Sequence, residues 1–259
     1  MGAPRADAAL NILEVSGLAW AETVRRAMES MPFEPDADVS RLWASAQVRI
    51  GRELDGVDHR DVRAELRRAG IVDSQGVLVP QWILAVGIAA TAPVKAATVV
   101  QWPDQSIHTE TGLAGGRGVG VTYRRRIRHQ PDGSAVTEVR NAVEVSFFQE
   151  EDAWAALSRH FPDLSEHRTV PHDAVATGTT IHLEVSASQA GPGWNGHPFA
   201  SRHMWSMTDR LYSVGTDPAD GNTPTLTAVP GTDIGREFAW RLLGAREYLA
   251  SAADGKARA

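Results

Sequence analysis

Leu13, Gly17, Trp20, Val24, Ala27 and Met31 recur at steps of three and four, with Glu22, Arg25, Arg26 and Glu29 between them, which predicts an amphipathic helix. Ser16 is placed to cap it behind a short strand over 11–15, and the Pro32 and Pro35 break ends it. A second helical stretch is expected over 39–52, with Leu42, Trp43, Ala46 and Ile50 on one side, and a third over 61–69, stopped by Gly70. Pro80 suits the first turn of a further helix through residue 92, which Pro93 closes. From Ala96 the period falls to two, and 96–102, 118–129 and 136–148 read as neighbouring antiparallel strands. The last two are joined by a hairpin turn at Gln130-Pro131-Asp132-Gly133. Helical spacing returns over 151–161 and near 172–176. A strand over 179–188, a glycine-rich loop over 191–196 and strand-like stretches near 210–214 and 225–229 come next. A last helix carries Ile234, Phe238, Leu242, Ala245 and Leu249 on one face.

The order in LRRAGIVDSQGVLVPQWILA (66–85) returns in LSRHFPDLSEHRTVPHDAVA (157–176): a helix end, a turn, a Val-Pro pair and a new helix leading into strands. Two readings stand side by side, a chance likeness of two junctions and a pseudo-twofold α+β architecture. The second divides a single domain over 1–259 into related halves at about 10–150 and 151–250, with a frayed tail over 252–259.

Composition narrows what such a fold would do. With 26 basic against 32 acidic residues the formal charge is -6, which disfavours a general nucleic-acid binder, since phosphate contacts need net positive charge. The absence of cysteine excludes disulfides, thiolate zinc sites and a cysteine nucleophile. Arg5, Asp7 and Glu14 interrupt any apolar run near the start, so no secretory core is expected. The most apolar later window, 82–92, is about half the ~20 residues a membrane span needs. The chain is therefore expected to be cytoplasmic, without membrane insertion.

The stretch GLAGGRGVGVTYRRRIRH (112–129) holds the strongest chemical candidates. A phosphate cradle needs glycines that follow a strand and open a helix. Here Gly115, Gly116, Gly118 and Gly120 precede or enter a strand, and no GK[ST] follows. Arg124, Arg126 and Arg128 would share one sheet face and could meet an anionic partner. Cross-strand pairing with Glu138 and Glu144 is the preferred account of them. Arg125 falls on the apolar face by parity, so a bulge or a paired carboxylate is expected there. His182 and Glu184 face one way on a strand, and with His197 and His203 they would form the centre of an alternative reading, a hydrolase or metal-dependent enzyme. No catalytic serine elbow and no H-E-x-x-H pattern accompanies them.

Of the eight tryptophans, Trp20, Trp43, Trp154 and Trp240 fit core positions of helices. Trp102, Trp194 and Trp205 sit in or beside expected loops, where an interface anchor competes with core packing.

The order LEVSGLAWAETV, MPFEPD, LRRAGIVDSQGVLVP, NAVEVSFF, DAWAALSRHFPDL and RTVPHDAV resembles the EspG chaperones of type VII (ESX) secretion in actinobacteria, and TAVPGTDIGREFAWRLLGA is similar near the end. The resemblance covers about 10–184 and then that closing pattern. It implies an α+β fold, pseudo-twofold and two-lobed, with a central antiparallel β-sheet and flanking helices. It also implies a non-enzymatic cytosolic chaperone without a cofactor, bound to a PE/PPE heterodimer whose hydrophobic tip it masks; a homodimer is compatible with it. The contact regions implied are a loop over 105–117 and the final helix. On that basis Ile107, Leu113, Arg117, Arg124, Arg126, Phe238 and Trp240 are the expected partner-binding residues. The 191–205 loop and the tryptophans depart from the family pattern and leave the partner's identity open.

Overall fold

The computed structural model describes residues 10–31, 59–130, 133–164, 178–188, 198–217, 219, 221 and 223–257. One antiparallel sheet contains β1 (Asn11–Val15), β2 (Val94–Gln101), β3 (Gln105–Ala114), β4 (Arg117–Gln130), β5 (Gly133–Gln149), β6 (Thr179–Ala187), β7 (Phe199–Met207), β8 (Leu211–Thr216) and β9 (Pro224–Ala228). The described helices are α1 (Gly17–Ser30), α2 (His59–Arg68), α3 (Pro80–Thr91), α4 (Ala153–Ser158) and α5 (Asp233–Ala257). None of them is long and apolar enough to cross a membrane.

The spatial order is β1-β5-β4-β3-β2-β6-β7-β8-β9. Outward from the β2/β6 pair, a four-strand meander runs each way, β2 to β5 on one side and β6 to β9 on the other. A helix follows each meander, α4 after β5 and α5 after β9, and both enter one core. The strand order is thus mirrored about the β2/β6 pair, with β1 added outside β5. The second copy of the sequence echo, and the helices expected over 39–52 and 172–176, lie outside the described residues in whole or in large part.

Two cores form on opposite sides of the sheet because successive strand residues point to opposite faces. One gathers α1, α2 and α3 over Val15, Val119, Val143 and Val145. The other gathers α4 and α5 over Val100, Leu113, Phe148, Ile181, Leu183 and Trp205. Ser16 caps α1 by accepting from the Ala19 N–H at 3.1 Å, and its own N–H and hydroxyl donate to Glu65 at 2.6 and 2.7 Å, so one residue joins α1 to α2. Gly70, at φ 66°, ends α2 as expected. The indole N–H of Trp205 donates to Asp233 at 3.0 Å in the buried second core, which anchors the first turn of α5 where a carboxylate also favours the helix dipole.

Several expectations change. The strand at 96–102 does not neighbour the strand at 118–129, because β3 lies between them. β3 escapes detection because its buried face is half threonine: Thr109 shares a 3.0 Å hydrogen bond with Thr122, and Thr111 donates to the Ala96 carbonyl at 3.0 Å. The described part of the 191–205 stretch contains the start of β7, and Trp205 is fully buried in it. The helix expected over 151–161 is a 3-10 turn at Glu150–Asp152 followed by the short α4. The final helix runs through Ala257.

Candidate interaction surfaces

The 105–117 segment is not a loop. It is β3, a turn and the first residue of β4, so the contact assignment of Ile107 and Leu113 does not stand on an exposed loop. Ile107 is 5% and Leu113 is 2% exposed, and Leu113 belongs to the core beneath α4 and α5. Gly115 and Gly116, at φ 59° and 77°, make the tight reversal. A Cβ on Gly118 would fall 2.0 Å from the Phe148 ring, so this glycine serves close packing. Arg117 is exposed at the end of the turn.

The arginines of β4 are paired across the sheet. Arg124 donates to Glu144 at 2.9 Å and Arg126 lies 3.5 Å from Glu138, the two carboxylates that strand alternation assigns to them. Glu144 is buried and also meets Arg159 at 3.1 Å and His160 at 3.2 Å. Burial alone would raise its carboxyl, but His160, Arg124 and Arg159 outweigh that effect and hold it below the ordinary carboxylate value. The cluster ties the end of α4 to β4 and β5. Register shifts on either side of Arg125 form the expected bulge, and its guanidinium lies 4.9 Å from the centre of the Tyr123 ring. Beyond Arg126 and Val143 no strand among the described residues flanks the β4–β5 ribbon, and Val136 and Val139 are exposed there.

His182 and His203, the described histidines of that alternative, lie on opposite faces of the sheet. His182 and Glu184 share a face, where Glu184 accepts from Arg202 at 2.8 Å. On the same face, Val99 of β2 pairs with both His182 and His108, and His108 stacks on Tyr123 at 5.0 Å. Burial, the nearby Arg125 charge and His182 together lower the His108 pKa to about 4, and burial also lowers that of His182. His203 points to the opposite side, where its ring contacts Trp205 and shares a 2.8 Å hydrogen bond with Ser213. His197 is outside the described residues. Among the described residues no three His, Cys, Asp or Glu side chains are grouped to hold a metal ion.

The final helix separates the remaining two candidates. Phe238 is 4% exposed and stacks on Trp154 at 5.6 Å, so it is a core residue and not a surface contact. Trp240 is 72% exposed, which overturns its expected core position and leaves it on the outer side with Leu243 at 46%. At about 100° per residue, Arg236, Trp240, Leu243, Glu247 and Ala250 fall along one stripe of α5. Leu243 was missed because the inward face has the same apolar character. Its signal was the three-residue step from Trp240.

The elements so far define a class: an α+β protein with one mirrored antiparallel sheet, two cores and an apolar stripe on the outside of its last helix. No protein-family model matches the chain, and the search of curated proteins finds no significant match.

Proposed function

We propose that this chain is a cytosolic type VII (ESX) secretion chaperone that binds PE/PPE-type helical substrates, masks their hydrophobic tip and keeps them soluble for export. The observation that carries the reading is the α5 stripe, in which an indole and a leucine lie open to solvent on a 25-residue helix whose other side is packed. Exposed large apolar groups with a charged border suit a protein partner, and tryptophan is enriched among residues that dominate such contacts. The order of motifs along the chain, which is similar to that of the EspG chaperones, supplies the class of partner. Arg236 and Glu247 border the apolar pair and would select among helical partners.

Co-expression with PE/PPE pairs, followed by size exclusion, tests the reading. One pair is expected to elute with the chain as a single complex, and Trp240→Asp is expected to release it while the fold, followed by circular dichroism, is unchanged. Separate elution of well-folded components for every pair encoded beside the chain's gene would reject the proposal.

A further inference from the structure

We infer that the α5 stripe is self-complementary and joins two copies of this chain through an antiparallel pair of α5 helices. The stripe residues are spaced four, three, four and three apart, the step of a helix–helix seam. In an antiparallel pair related by a twofold axis, each residue faces the one at the mirrored position. An axis between Arg241 and Leu242 sets Trp240 against Leu243 of the second copy and, at the same time, Arg236 against Glu247. Both apolar residues and both charges are then matched twice in a single register. Shifting the register by one turn sets like against unlike and loses this agreement.

The charges are available for the contact. The Arg236 side chain is 70% exposed, and although it reaches Asp233 within its own helix, a guanidinium keeps further donors for a second carboxylate. Glu247 is exposed and has no ion-pair partner among the described residues. The seam from Arg236 to Ala250 runs about 21 Å along the helix, which is small for an interface, so a weak association that depends on concentration is expected. This inference concerns the free chain: a substrate on the same stripe would displace the second copy, and because the test uses the chain alone its outcome does not depend on the chaperone reading.

The chain has no cysteine, so an engineered pair reports the register directly. Arg236→Cys with Glu247→Cys places two thiols about 16 Å apart within one helix, too far for an internal disulfide, whose Cα atoms must approach to about 7 Å or less. In the antiparallel pair the same thiols face each other across the seam. The double variant is expected to form a disulfide-linked dimer on mild oxidation, with the 236-to-247 linkage mapped by mass spectrometry. Adding Trp240→Ala is expected to slow that linkage roughly tenfold or more. Light scattering of the unmodified chain should show mass rising toward the dimer with increasing concentration. The inference is overturned by a constant monomer mass, by linkage of each single-cysteine variant as readily as the double, or by linkage that ignores Trp240→Ala. The three substitutions are at exposed positions, and circular dichroism of each variant checks that the fold is retained.

Discussion

The two sides of α5 carry similar residues and have opposite fates. Inward, Ile234, Phe238, Leu242 and Ala245 are sealed against β6 and β7. Outward, Trp240 and Leu243 remain in water. Apolar character therefore does not decide what a helix side does; what decides is whether the sheet offers it a matching surface. The inward side has the Trp154 ring, the Trp205–Asp233 hydrogen bond and Phe199 against Gly244 and Tyr248. No described element covers the outward side.

The strongest way to break the comparison is to empty the packed side at Phe238. Phe238→Ala removes a buried ring that stacks on Trp154 and leaves a cavity, so a loss of about 3–5 kcal/mol in unfolding free energy is expected. Denaturant titration measures it. A loss below about 1 kcal/mol would mean that the inward side is no better packed than the outward one.

Acid should act on the packed parts of the molecule and so sharpen the contrast. The His108 pKa is about 4 in the fold against 6.5 unfolded, so the unfolded chain binds more protons between these values. Stability is full above pH 6.5, declines as pH falls toward 4, and then levels for this residue. His160, His182 and His203 are shifted in the same direction, each chiefly by burial, and add to the decline. Glu144, lowered by its cationic neighbours, extends the loss into the carboxylate range below 4.5. His108 is only partly buried, and with solvent screening its share is on the order of 1 kcal/mol. His108→Gln should flatten the profile between pH 6.5 and 4 in thermal melts. An unchanged profile would show that the ring is as well hydrated as in the unfolded chain.

The same contrast explains how much could be read from the sequence. β4 and β5 alternate Val119, Val121, Val143 and Val145 with polar residues, so their period, their antiparallel pairing and the pairing of Arg124 and Arg126 with Glu144 and Glu138 were legible. The end of α2 was legible in Gly70, and the start of α3 in Pro80. β3 was not, because hydroxyls of Thr109 and Thr111 satisfied inside the sheet replace the apolar residues that mark a buried face. The glycines around the turn then made the segment look like a loop and turned Ile107 and Leu113 into contact residues. At α5 the error ran the other way. Phe238 and Trp240 are two apart on a helix, hence about 160° apart around its axis, and could not belong to one surface. Periodicity located the inward face; only the packing shows that no described element covers Trp240.

The smallest expected effect is the most discriminating. Trp240→Ala removes an indole that is already in water in the free chain, so little transfer free energy is lost and no cavity forms. At concentrations too low for association, the unfolding free energy should change by no more than about 0.5 kcal/mol, an order of magnitude less than for Phe238→Ala only two residues away. At high concentration the two chains should diverge, because a partner copy that binds only the folded state stabilises it by mass action. The midpoint of thermal unfolding should then rise with concentration for the natural sequence and stay constant for the variant. A loss above about 2 kcal/mol at high dilution would show that the indole belongs to the chain's own packing, and the outward side of α5 would lose its status as a surface made for a partner.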